Sequence, residues 1–163
     1  MQQAISQVNN KRGDAFNAQV AHFLEEETGL IIKSQVKKVG ELRGQDGPPG
    51  DIDVLMVNPR KRRMHLLECK DLAVARTPQE MANELQNMFQ GKGGKKSVIE
   101  HHQKRVQWAR EHLGQILTWL ELPQSGKWKV EPLIVTKQRL FTPYLQRSPI
   151  PILSFDELRE RYG

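Results

Sequence analysis

Residues 50–70 read GDIDVLMVNPRKRRMHLLECK and contain two apolar runs typical of β-strands, separated by an Asn-Pro-Arg turn signal. Asp51 and Asp53 lie at the start of the first run, and Glu68 and Lys70 lie at the end of the second. Side chains two positions apart in a strand point to the same face, so Glu68 and Lys70 share one face. If the runs pair as a hairpin, an acid from each strand meets the other in front of the lysine.

Two carboxylates beside one ammonium group suggest a metal-dependent phosphodiesterase. A metal ion neutralises the phosphate and lowers the pKa of bound water, and Mg²⁺ (or Mn²⁺) prefers oxygen ligands. We predict ligation by Asp53, Glu68 and the backbone carbonyl of Cys69, with Asp51 as a secondary candidate. Lys70 would orient the attacking water and stabilise charge at phosphorus. The alternative is an exposed Glu-Lys pair at a strand end, which the cost of placing acids on such apolar strands disfavours.

The remaining sequence predicts an α/β fold with a mixed central sheet flanked by helices. A polar N-terminal segment, residues 1–12, precedes a single domain over residues 13–163. A loop over residues 40–50, rich in Gly and Pro, is expected to be mobile. Further helices are predicted at 13–27, 77–89, 98–120 and after 154, and further strands at 30–39, 130–136 and 150–153.

At residues 51–70 the chain resembles the PD-(D/E)XK nuclease superfamily, which includes many restriction endonucleases, Mrr-like nucleases and archaeal Holliday-junction resolvases. The resemblance covers most of the chain and implies a restriction endonuclease-like core of order α-β-β-β-α-β. It makes Asp53 the first acid, Glu68 the second and Lys70 the catalytic lysine. Many members carry a metal-binding glutamate in the first helix, where this chain has Asn17. Gln103 is a second accessory candidate, since some relatives use a glutamine from a later helix.

The net charge of +6 favours a polyanionic partner, because basic side chains near phosphates gain from counterion release. The sequence has no run of about 18 apolar residues, so we expect no membrane association and a cytoplasmic setting. The one cysteine, Cys69, is expected to be a small core residue rather than a nucleophile.

Two basic segments are candidates for binding nucleic acid. The loop over residues 91–97, GKGGKKS, combines lysines with backbone N–H groups, and its alternative is a flexible solvated linker. The helix after it carries basic side chains around a tryptophan, which could stack on a base or simply pack in the core. Residues 60–63 should form an exposed basic turn. The predicted nucleic-acid-binding residues are Lys92, Lys95, Lys96, Ser97, His101, Lys104, Arg105 and Trp108.

The leading hypothesis is a Mg²⁺-dependent nuclease that hydrolyses DNA, with endonuclease favoured over exonuclease. The second is a nucleic-acid-binding module of the same fold whose site is weak or inactive, which Asn17 supports. A third is a phosphate-binding regulatory domain that uses the loop at 91–97. Double-strand cleavage would favour a homodimer, and this fold is often fused to helicase or DNA-binding modules.

Overall fold

A five-stranded mixed sheet forms the centre of the structure, a computed structural model that describes residues 2–163. The strand order is β1-β2-β3-β4-β5; β1 pairs antiparallel with β2 and β2 antiparallel with β3, whereas β4 pairs parallel with β3 and β5 parallel with β4. The predicted α/β class, with a mixed sheet flanked by helices, is confirmed. The strands are β1 (Ile31–Val36), β2 (Ile52–Asn58), β3 (Arg63–Lys70), β4 (Lys129–Thr136) and β5 (Ile152–Ser154).

Six helices of the described chain surround the sheet. Residues 2–12, predicted as a separate polar segment, continue the first helix without a break, and Met1 lies outside the described residues. The helices predicted to start at 77 and after 154 begin with reciprocal capping boxes, in which the N-cap residues Thr77 and Ser154 each pair with a glutamate three residues later. The helices are α1 (Gln2–Glu25), α2 (Pro78–Leu85), α3 (Val98–Glu111), α4 (Leu113–Trp119), α5 (Thr142–Leu145) and α6 (Phe155–Tyr162).

The helices bury both faces of the sheet, which explains why β2 and β3 are apolar on both sides. On one face, α1 and α6 pack through residues such as Leu24 and Leu158. On the other face, α3 and α4 pack through residues such as Val106 and Leu117. Cys69 is buried against α1, which confirms its predicted core position, and burial raises the pKa of its thiol well above the ordinary value.

The single helix predicted over residues 98–120 is interrupted at His112, which adopts a non-helical conformation between α3 and α4. Its ring stacks on Trp108 with the ring centroids 4.7 Å apart. Its Nδ1 lies 2.8 Å from the Trp108 carbonyl oxygen, which also accepts the His112 backbone N–H. A side chain that bonds to a nearby backbone carbonyl competes with regular helix geometry, and the apolar spacing used for prediction does not register this contact.

The predicted turn between β2 and β3 is confirmed. Residues 58–63 form it, at one end of the sheet. The Lys61 backbone N–H donates to Asn58 Oδ1 over 3.0 Å, and the Arg62 N–H donates to the Pro59 carbonyl over 3.3 Å. The hairpin register pairs Val54 with Leu67. One position further along, the same register brings Asp53 opposite Glu68.

Candidate active site

Asp53 lies at the start of β2 and is fixed to the neighbouring strand by its carboxylate. The Cys69 backbone N–H donates to Asp53 Oδ2 over 2.8 Å. Burial, reinforced by the negative charge of Glu68, raises the pKa of Asp53 to about 6. The first and second predicted acids therefore lie close enough to repel each other in a low-dielectric environment.

Glu68 is almost fully buried and has a basic partner for each carboxylate oxygen. Its Oε1 lies 2.9 Å from Lys70 Nζ, as strand parity predicted, and its Oε2 pairs with the guanidinium of Arg105 from α3. Burial alone would raise the pKa of Glu68, but the charges of Lys70 and Arg105 outweigh it and hold the pKa below its ordinary value. Glu68 is therefore the member of the pair that loses its proton first as pH rises.

A cleft of about 480 Å³ opens beside these residues, at the end of the sheet opposite the hairpin turn. Asn17 from α1, Asp53, Cys69 and Lys70 all line it. Asn17 is buried, and its Oδ1 has no hydrogen-bond partner. A buried amide oxygen without a donor costs free energy unless a ligand or water satisfies it, so Asn17 holds an unpaired acceptor that lies buried next to the cleft.

The donor set at this cleft is suited to a hard cation. Within residues 2–163, no three or more His, Cys, Asp or Glu side chains are grouped to hold a metal ion. Mg²⁺ does not require such a cage, because it retains several waters and commonly takes one or two carboxylates. Asp53 and Asn17 line the cleft, and Glu68 lies beside Asp53 but outside the cleft lining, so the set offers oxygen donors. A cation there would offset the negative charge of Glu68, which adds to burial in raising the pKa of Asp53.

Two predicted accessory residues lie elsewhere. Asp51 precedes β2, is exposed, and lies 3.9 Å from Lys37 Nζ rather than in the cleft. Gln103 lies on the exposed side of α3 and lines a separate groove. Arg105 is the residue that α3 contributes to the site, because the docking of the helix turns it toward Glu68.

His102 lies in the core, but only one of its two ring nitrogens has a hydrogen-bond partner within the described chain. It is 1% exposed, and its Nε2 lies 2.8 Å from the Leu66 carbonyl oxygen. Burial lowers the pKa of His102. Its Nδ1 lies 3.8 Å from Glu68 Oε2, so it supports the buried side of that carboxylate without reaching the cleft.

The sequence reasoning missed a second acidic group at the cleft. Asp71 lines it with a side chain that is only 7% exposed, and lies 3.4 Å from both Arg12 and Lys137. Asp14 from α1 lines the same cleft. The only sign of Asp71 in the sequence is its position directly after Lys70. Its two basic partners come from α1 and from the segment after β4, and they become its neighbours only in the folded protein.

The predicted nucleic-acid-binding residues divide into exposed and buried sets. The loop at 91–97 contains a tight turn in which the Lys92 and Lys95 backbones bond to each other, with Gly93 and Gly94 at positive φ. The exposed members are Lys92, Lys95, Lys96, His101 and Lys104.

Ser97 and Trp108 correct that prediction. Ser97 is fully buried, and its hydroxyl accepts the Glu100 N–H at the start of α3. The Glu100 carboxylate bonds back to the Ser97 N–H, so the helix N-terminus already holds an anionic group. Trp108 is 9% exposed and donates its indole N–H to the Asp46 carbonyl over 3.2 Å. Its ring is therefore used to pack the loop at 40–50.

A model of the family described as "Upx-like: Anti-phage protein Upx-like" matches residues 5–128, about three quarters of the chain. The matched region includes Asn17, Asp53, Glu68, Lys70 and Arg105. Searches of curated proteins and of solved structures found no match. No helix within residues 2–163 is both long and apolar enough to cross a membrane.

Proposed function

Since this chain belongs to the Upx-like family of anti-phage proteins, we propose that it acts in phage defence as a metal-dependent nuclease that hydrolyses phosphodiester bonds of DNA. The observation that carries the proposal is the pair of half-buried Asp53 and buried Glu68 beside Lys70, with Asp53 and Lys70 lining an open cleft. Buried acids are costly unless they are compensated or used, and perturbed carboxylates in a cleft are typical of catalytic sites.

Each residue of the site has a proposed role. Asp53, Glu68 and the Cys69 carbonyl would hold Mg²⁺ or Mn²⁺, with the Asn17 oxygen as a further donor. When bound, the cation would neutralise the phosphate and lower the pKa of a water. Lys70 would orient that water and stabilise the charge that develops at phosphorus, as a fixed cation in a partly desolvated site can. Arg105 would position the Glu68 carboxylate.

The test compares DNA cleavage by three site variants and the wild-type protein. Supercoiled, linear, branched and single-stranded DNA are each incubated with Mg²⁺, Mn²⁺ or EDTA. We expect metal-dependent cleavage by the wild type and a loss of at least about 100-fold in Asp53→Ala, Glu68→Gln and Lys70→Ala. Circular dichroism verifies folding, and Asp51→Ala, an exposed acid outside the cleft, is the matched control. Metal-dependent cleavage retained by all three variants would rule the proposal out.

A second candidate function is DNA binding without cleavage. The observation that favours it is the full engagement of Glu68 by Lys70 and Arg105, together with Asn17 in place of an acid on α1. Such a module would bind DNA equally well in EDTA and in Mg²⁺ and would nick none of the substrates.

A further inference from the structure

We propose that Phe141 and Tyr144 form a stacking surface for unpaired bases, so that the substrate class contains a single-stranded segment. This inference rests on the proposed function, because the surface would serve a polymer that enters the cleft at Lys70. Uninterrupted duplex would be a poor ligand for it, since paired bases have no free faces to stack on the rings.

The segment after β4 exposes three large apolar side chains within five positions. Phe141 is 51% exposed, Tyr144 is 73% exposed and Leu145 is 62% exposed. Between and before them, Leu140 and Thr142 are buried and hold the segment to the body of the protein. Clustered exposure of large apolar groups marks an interaction site more often than chance placement, and within residues 2–163 only Ile5 and Val8 are comparable.

This segment leaves the sheet beside the cleft. Thr136, the last residue of β4, pairs with Lys70 in the parallel register. The next residue, Lys137, donates its backbone N–H to the Lys70 carbonyl over 3.1 Å, and its Nζ lies 3.4 Å from Asp71, which lines the cleft. Four residues of chain reach at most about 14 Å, so Phe141 lies within about three nucleotides of the site.

The charge around the rings indicates nucleic acid as the occupant. Lys137, Arg139 and Arg147 are exposed along the same segment. Arg139 pairs with Glu157 over 2.6 Å, whereas Arg147 forms no ion pair within the described chain. Aromatic rings interleaved with cations are the features by which proteins bind single strands, because every base offers a π-face and every nucleotide a phosphate.

A small concavity beside Tyr144 adds shape to the surface. It has a volume of about 220 Å³ and is lined by Pro143, Tyr144, Arg139 and Glu157, among others. A base stacked on the Tyr144 ring would find a donor and an acceptor for its polar edge there. A protein partner that docked a helix would require a longer apolar groove than the four residues of α5 provide.

The experiment measures binding in EDTA, so that cleavage plays no part. Fluorescence anisotropy compares an oligothymidine with a duplex of equal length, for the wild type, for Phe141→Ala/Tyr144→Ala and for Tyr144→Phe. We expect the double variant to lose about tenfold or more in affinity for the single strand and less than about twofold for the duplex. Tyr144→Phe keeps the ring and should keep the affinity. Ile5→Ala/Val8→Ala removes comparably exposed apolar groups and should leave the affinity for both ligands unchanged.

Equal losses for both ligands, or no loss for the single strand, would overturn the inference. It would also be overturned if the double variant changed only self-association measured by light scattering, because the rings would then contact another protein. Its failure is distinguishable from that of the proposed function. If the wild type binds single strands in EDTA but cleaves nothing with metal, only the nuclease proposal is refuted. If the double variant cleaves single strands as fast as the wild type, only the stacking surface is refuted.

Discussion

At the scale of single residues, the site is defined by the unequal environments of two facing carboxylates. Glu68 has Lys70 and Arg105 within contact distance and stays ionised, while Asp53 has only a backbone N–H as a close partner. The net result is a raised pKa for Asp53 and a lowered pKa for Glu68. Environments that separate the pKa values of two acids in this way are typical of catalytic sites, where the two groups take different roles.

This asymmetry predicts that Asp53→Asn stabilises the metal-free protein at alkaline pH. The pKa of Asp53 is about 6 in the folded state and near its ordinary acidic value when unfolded. As pH rises between these values the unfolded state loses its proton first, so the wild-type free energy of unfolding falls and then stays low above the folded pKa. We expect the variant to be more stable than the wild type by on the order of 1–2 kcal/mol at about pH 8, and by little at about pH 4.

Urea unfolding at both pH values, in EDTA and in millimolar Mg²⁺, checks this expectation. Mg²⁺ should raise the stability of the wild type and close the gap at about pH 8, because a ligand stabilises the state that binds it. Asp51→Asn, which removes an exposed acid, is the control and should match the wild type at both pH values, including its stabilisation by Mg²⁺. Equal stabilisation of wild type and Asp53→Asn by Mg²⁺ would contradict ligation by Asp53.

At the scale of elements, the loop over residues 40–50 is attached to α3 by two side chains, one of which also contacts the site. Arg105 Nε donates to the Pro49 carbonyl over 3.1 Å, and Trp108 donates to the Asp46 carbonyl. The prediction that this loop is mobile rests on its Gly and Pro content alone, which does not reveal these two hydrogen bonds to α3. Arg105 therefore links the loop, α3 and Glu68 in one contact network.

Gly50→Ala should disturb this network beyond the cost of backbone strain. Gly50 has φ +84°, and a Cβ there would lie 3.0 Å from a terminal nitrogen of Arg105. Gly29→Ala is the matched control, because its φ is +86° and no atom lies within 4 Å of the added carbon. Both should lose about 1 kcal/mol from the left-handed backbone. Only Gly50→Ala should also speed tryptic cleavage at Arg43 in the native protein. Equal cleavage rates in the two variants would show that Arg105 does not hold the loop.

The same elements show how far sequence reasoning reaches. Alternation and apolar runs predict β2 and β3, and strand parity predicts the Glu68–Lys70 contact, because these depend on local geometry. The role of Arg105 depends on how α3 docks against the sheet, and the buried, unpaired Asn17 oxygen depends on how α1 packs beside the cleft. The exposure of the Phe141 and Tyr144 rings has no local signal either, since both residues would equally suit a core position in an apolar run.

At the scale of the whole molecule, the sheet separates two basic regions. The turn at residues 60–63 is at one end of β3, and Lys70 is at the other, about 23 Å away for a strand of this length. Lys96 and Lys104 line a groove of about 550 Å³. Ile150, which also lines it, lies just before β5, and β5 pairs with the end of β4 that is nearer the cleft. A polymer bound for cleavage should therefore contact the α3 side of the molecule and avoid the hairpin turn.

Two charge-reversal variants with identical net charge distinguish direct contacts with DNA from the effect of the protein's overall charge on DNA binding. Lys96→Glu/Lys104→Glu and Arg60→Glu/Lys61→Glu each replace two positive charges by two negative ones, which takes the formal net charge from +6 to +2. We expect the first pair to weaken DNA binding at least about tenfold at low salt and to reduce the slope of log K against log salt by about two. The second pair should shift affinity only slightly and leave the slope unchanged, because an electrostatic field at a distance is screened within about 10 Å at moderate salt. If both pairs reduce the slope equally, DNA also contacts the hairpin turn. The expectation that DNA binds only at the cleft end of the molecule would then be wrong.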